Sequence, residues 1–77
     1  MEFKQLQYFL SAAEYLNFTE AAQACFIVQS AMSQQISSLE KELGVTLFVR
    51  EKRVLRLTAE GETLVLEARK ILNQVNH

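Results

Sequence analysis

Residues 19–43 read TEAAQACFIVQSAMSQQISSLEKEL, and this stretch decides the fold. It predicts two helices joined by a short break. In the second, roughly residues 29–43, Met32, Ile36, Leu39 and Leu43 recur at spacings of four, three and four, which sets one apolar stripe along a helix. The other side shows Gln29, Ser30, Ser33, Gln34 and Ser37, small or amide side chains almost free of charge. A solvated helix face ordinarily shows Lys and Glu, which form supporting pairs one turn apart. A face of serine and glutamine gives up that benefit, and the DNA major groove is one place where amides and hydroxyls recover it by bonding to base edges.

Upstream, residues 20–25 predict a short helix built on Ala21, Ala22 and Ala24, small enough for another helix to approach closely. Thr19 is the expected N-cap, with Glu20 at the positive end of the helix dipole. Phe26-Ile27-Val28 is the expected turn, although it lacks the glycine often found there. Residues 3–16 predict a first helix with a broad face of Phe3, Leu6, Phe9, Leu10, Ala13 and Leu16, broken by Asn17-Phe18.

Downstream, Gly44 stands where a helix-ending glycine belongs, with Val45 placed for the accompanying hydrophobic contact. Leu47-Phe48-Val49 and Val54 to Leu57 have strand character around Arg50-Glu51-Lys52-Arg53, which predicts a two-stranded ribbon with a basic tip. A lone hairpin is marginal in water, so the ribbon must pack on the helices, with Phe48 and Leu57 as candidates. Thr58 is the expected N-cap of a last helix, and Gly61 in its first turn implies close approach of another backbone. Leu64, Ala68, Ile71 and Val75 form one stripe of that helix, Val65 and Leu72 a second. Two stripes imply two contacts, one to the chain's own core and one to something else, and together they favour dimerisation. The chain stops at His77 without a cap signal and reads as a fragment cut in or near the end of a longer helix.

The expected fold class is therefore mainly α, a winged helix-turn-helix with a three-helix core and a two-stranded β wing, followed by a long C-terminal linker helix. Residues 1–58 are expected as the DNA-binding domain and residues 59–77 as a linker and dimerisation helix.

Seventy-seven residues make one small domain, which buries only about 60% of its unfolded surface and gains from a partner. Apolar residues at 49% and the absence of proline suit a folded helical domain rather than a disordered tail. The single Cys25 forms no internal disulfide, consistent with a reducing cytoplasm. The N-terminal MEFKQLQYFLSAAEYL lacks the basic and apolar regions of a signal peptide, and no stretch approaches the roughly 20 apolar residues of a membrane span.

The net charge is −1, which by itself argues against nucleic acid, but its distribution matters more. Arg50, Lys52, Arg53 and Arg56 fall within residues 50–56, opposed there only by Glu51. These four are the candidates for phosphate neutralisation, the salt-dependent source of affinity. Arg53 is placed to enter a narrow minor groove. Gln29 and Gln34 can pair with adenine N6 and N7, while Ser30, Ser33 and Ser37 serve bases or phosphates. Thr19, at a helix start, is a candidate phosphate contact.

These residues carry a resemblance. Leu6-Gln7-Tyr8-Phe9, Asn17-Phe18-Thr19-Glu20-Ala21-Ala22, Gln29, Ala31 and Ser33-Gln34-Gln35-Ile36 match it. So do Leu39-Glu40-Lys41-Glu42-Leu43-Gly44-Val45, Leu47-Phe48, Arg50, Arg53 and Leu57-Thr58-Ala59-Glu60-Gly61. Across essentially its whole length the chain resembles the N-terminal DNA-binding domain of LysR-type transcriptional regulators. It departs at Val28, where the family usually has a capping serine, and at Ser30, where it usually has proline. The resemblance implies homodimers or tetramers on dyad-related promoter sites, with the last helix pairing with its twin. It also implies a C-terminal domain, absent from these residues, that senses a small-molecule effector.

Two other classes compete with this one. An interaction module using the last helix as a seam, with no DNA role, would explain the near-neutral charge but not the serine and glutamine face beside a basic ribbon. An enzyme is disfavoured: there is no aspartate, the only histidine is His77, and no metal-ligand cluster, phosphate-binding glycine loop or cofactor motif appears.

Overall fold

The computed structural model describes the backbone of residues 1–75 and the side chains of residues 1–73. The elements run α1 (Phe3–Tyr15), α2 (Phe18–Ala24), α3 (Gln29–Leu43), β1 (Phe48–Glu51), β2 (Val54–Leu57) and α4 (Ala59–Val75). This is a winged helix-turn-helix, with α1, α2 and α3 packed on one another, β1 and β2 as the wing, and α4 lying against α1.

The helix boundaries follow from local stops. Leu16 takes a left-handed conformation (φ 49°), and its N–H returns to the Ala12 carbonyl at 2.9 Å, so α1 ends at Tyr15. The N-cap of α2 is Asn17, not the expected Thr19: its Oδ1 accepts from the Glu20 N–H at 3.0 Å. Asparagine caps at least as well as threonine. Starting the helix at Phe18 also lets that ring meet the edge of Phe48, with centroids 5.4 Å apart. The helix ends at Ala24, with the Ile27 N–H bonded to the Ala22 carbonyl at 3.0 Å around a left-handed Phe26 (φ 61°).

The end of α3 has the same form with the residue that suits it. Gly44 (φ 70°) is left-handed, and the Val45 N–H returns to the Glu40 carbonyl at 3.2 Å. Met32, Ile36 and Leu39 are buried as the periodicity requires. Leu43, expected on the same stripe, is instead 38% exposed. It belongs to the last turn of α3, where it borders an open apolar groove with Leu47 and Leu64.

The wing pairs antiparallel in the register Phe48↔Leu57, Val49↔Arg56, Arg50↔Leu55 and Glu51↔Val54. Its tip is therefore Lys52-Arg53 alone, and Arg50 and Glu51, expected in the turn, lie in β1. Both tip residues have positive φ (48° and 67°), as a two-residue type I′ hairpin demands. Phe48 joins the core beside Phe9 at 5.6 Å between centroids, so α1, α2 and β1 meet at one aromatic cluster. Glu40 Oε2 fastens the wing to α3 by accepting from the backbone N–H groups of Leu47 (2.6 Å) and Phe48 (3.3 Å).

Thr58 starts α4: its Oγ1 accepts from the Gly61 N–H at 3.0 Å, and its own N–H donates to the Leu47 carbonyl at 2.9 Å. Gly61 meets the expectation of close approach, since a Cβ there would lie 2.4 Å from the Leu47 oxygen. Ala68, expected on a surface for a second copy, is instead completely buried within the chain, its small side chain letting α4 lie close to α1. Leu64 and Val65 are half-buried against the chain's own core. Ile71 is exposed and Leu72 half-buried, while the side chain of Val75 lies outside the described residues. No helix among the described residues is long and apolar enough to cross a membrane.

Candidate nucleic-acid interface

The N-terminal half of α3 presents Gln29, Ser30, Gln34 and Ser37 to solvent, with Ser33 half-buried between them. Gln29 Nε2 donates to Ser33 Oγ at 2.9 Å, one turn along, so these two side chains hold each other in place. Toward the C-terminal half, Ser33, Gln34, Ser37, Ser38 and Lys41 line one shallow polar depression. Ser38 and Lys41 extend the face beyond the residues read from sequence. Their spacing of four from Gln34 and Ser37 was the available signal.

Strand alternation sorts the basic residues of the wing. Phe48 and Arg50 point to one face of β1, and their cross-strand neighbours Leu57 and Leu55 point the same way. Arg56 lies on the opposite face with Val49. Arg50 and Arg53 consequently reach a polar cleft of 230 Å³ that Thr19 and Gln29 also line, between the starts of α2 and α3 and the wing. The fold thus gathers Thr19 of α2, Gln29 of α3, and Arg50 and Arg53 of the wing. Lys52 and Arg56 are exposed but do not line that cleft.

The charge in the cleft is uncompensated. Among the described residues the ion pairs are the N-terminal amine with Glu42, and Lys70 with Glu67 at 3.8 Å. None involves the wing. Exposed arginines in a polar concavity, next to hydrogen-bonding side chains on one helix, suit a polyanion with readable polar edges. No group of three or more histidine, cysteine, aspartate or glutamate side chains able to hold a metal ion occurs among the described residues.

Residues 3–62 match the family model described as "Bacterial regulatory helix-turn-helix protein, lysR family". The chain belongs to the LysR family. It is similar to the HTH-type transcriptional regulator AlsR of Bacillus subtilis (strain 168), with 47% identity over 75 residues, 97% of this chain and 25% of that protein. It is also similar to the Hca operon transcriptional activator HcaR of Escherichia coli (strain K12), with 44% identity over 77 residues, all of this chain and 26% of that protein. The chain thus spans about a quarter of the length of these relatives. Among solved structures it resembles the DNA-binding domain of CbnR in complex with DNA. There the TM-score is 0.92 and the identity 39%, covering 99% of this chain and 87% of that one. The LysR family is one of regulatory helix-turn-helix proteins, a non-enzymatic class.

Within the LysR frame, two features escape a reading of the sequence alone. Asn17 is hidden because Thr19 is an acceptable cap just further on. The pairing of Gln29 with Ser33 needs the helix to be in place before the two side chains meet.

Proposed function

We propose that this chain is the sequence-specific duplex-DNA-binding domain of a bacterial transcription regulator. The observation that carries this is the convergence of Arg50 and Arg53 of the wing on one cleft with Gln29 of α3 and Thr19 of α2. Docked with α3 in the major groove, Gln34, Ser30 and Ser37 face base edges, and Gln29 and Ser33 act as a preorganised pair. Arg50, with Thr19 at the cleft's rim, holds phosphates. Arg53 at the tip reaches the adjacent minor groove, and Lys52 and Arg56 add backbone contacts. Likeness to a CbnR DNA-binding domain bound to DNA and to the BenM domain bound to a catB site, the latter at TM-score 0.93 and 39% identity, supports the reading.

Residues 1–58 make the DNA contacts, and residues 59–77 serve as linker and dimerisation helix. Since Gly61 and Ala68 are buried in the chain's own packing and Leu64 and Val65 are half-buried against it, the seam for a second copy runs through Ile71 and Leu72. The target is a dyad-symmetric promoter site. Response to a small-molecule effector belongs to a C-terminal domain of the kind the family resemblance implies.

Selection of bound duplexes from a random pool tests the function. One enriched dyad motif is expected, with binding that weakens steeply as salt rises. Gln34→Ala should relax preference at one base pair per half-site, a discrimination of about 1–3 kcal/mol. An unenriched pool, or no binding at low salt, would overturn the assignment in favour of a protein-interaction module.

A further inference from the structure

We propose that Val28 determines specificity by placing its isopropyl group against the 5-methyl group of a thymine in the major groove. The inference rests on the DNA-binding function proposed above. Val28 is the N-cap of α3, with extended backbone (φ −78°, ψ 156°) and no side-chain cap bond. Valine is among the poorest residues for that position, because it offers the orphan N–H groups of the first turn no acceptor. It is also 68% exposed, so its apolar surface gains nothing from the chain's own core.

The position accounts for both costs. The residues that follow are Gln29 and Ser30, both exposed at the end of α3 that reaches base edges in helix-turn-helix proteins. Gln29 also lines the cleft that holds Arg50 and Arg53, which ties the start of α3 to the phosphate-binding groups and leaves Val28 at the leading edge of the helix. In the major groove only thymine offers an apolar group; guanine, cytosine and adenine present donors and acceptors there. An isopropyl group pressed on those polar edges strips their water and returns no hydrogen bond. Against a thymine methyl it removes apolar surface from water on both partners. A serine at the same place would accept several bases. The valine therefore narrows the site to one.

The test uses the duplex selected by the 77-residue chain, with each thymine replaced singly by deoxyuridine, which removes the methyl and nothing else. For the wild-type chain, one replacement per half-site should weaken binding about fourfold, roughly 0.8 kcal/mol for one methyl-sized group. Val28→Ser should bind both duplexes equally, and selection with it should lose the thymine at that position. Val28→Thr, which keeps one methyl, should fall between. Both variants supply a capping hydroxyl, and a raised melting temperature for each would show that reduced discrimination does not come from impaired folding. Equal uracil sensitivity in the wild-type chain and Val28→Ser, or none at any thymine, overturns the inference while an enriched motif leaves the DNA-binding function standing. A pool with no enrichment overturns both.

Discussion

Gly61 has no room for a methyl group. A Cβ there would stand 2.4 Å from the Leu47 oxygen and 2.8 Å from a Leu57 side-chain carbon, and the first of these neighbours is backbone. Gly61→Ala should therefore destabilise the chain by about 1–3 kcal/mol despite the better helix propensity of alanine, read as a lower urea midpoint. An unchanged midpoint would mean that α4 does not seat against the Leu47 backbone. Val28 works in the opposite sense. Val28→Ser adds the missing acceptor at the start of α3, for a gain of about 1 kcal/mol, which in a domain of this size raises the melting temperature by about 4–8 °C. Gly61 stood out in the sequence as a glycine in a first helical turn, whereas Val28 stood out only against the capping serine usual in the family it resembles. Gly61 could be explained from sequence because only a close backbone makes such a glycine useful. The exposure of Val28 could not, since it depends on which elements leave the start of α3 uncovered.

Three turns place non-glycine residues in left-handed conformations, at Leu16, at Phe26 and at the Lys52-Arg53 wing tip. Phe26 ends α2 at φ 61° and is 95% exposed, so its ring has no packing to set against the strain. Phe26→Gly should stabilise the chain by about 1 kcal/mol, measured by thermal unfolding; destabilisation would show that the aromatic ring has a packing role. The missing glycine also explains why the break between α2 and α3 was faint in the sequence while the stop at Gly44 was plain. The wing repeats the pattern with Lys52 and Arg53 at positive φ, where Asn-Gly would be relaxed. Replacing both, as Lys52→Asn with Arg53→Gly, should stabilise the hairpin. The same change should weaken DNA binding and flatten its dependence on log salt by about 0.9 for each phosphate that is no longer neutralised. A gain in stability with no change in slope would remove these two residues from the interface. The period-two pattern of the wing was legible and β2 runs from Val54 to Leu57 as expected, but β1 proved two residues longer toward the tip. Pairing of Arg50 with Leu55 and Glu51 with Val54 draws polar residues into the ladder that hydropathy alone assigns to a loop.

For the molecule as a whole, a net charge of −1 makes the placement of charge more important than its amount. Arg50→Gln should lower affinity more than Arg56→Gln, since only Arg50 lines the cleft shared with Gln29. Fluorescence anisotropy on the selected duplex reads the difference, and equal losses would mean that the wing acts as a diffuse cationic loop. Association should depend on the far half of α4. Ile71→Glu should shift the sedimentation of the chain toward monomer and leave its melting behaviour at low concentration nearly unchanged, because Ile71 is exposed whereas Ala68 is completely buried. The amino-acid sequence determined what is local: the helical stripe of Met32, Ile36 and Leu39, the stop at Gly44, the cap at Thr58 and the concentration of basic residues at 50–56. Each depends on residues within a turn or two of one another, where periodicity and capping act without help. Only the tertiary structure decided that Thr19, Gln29, Arg50 and Arg53 share a cleft, that Arg56 faces away, and that Ala68 is spent on the chain's own packing. Those outcomes are set by how distant elements meet, through the aromatic cluster of Phe9, Phe18 and Phe48 and the Glu40 clamp, and no local spacing encodes them.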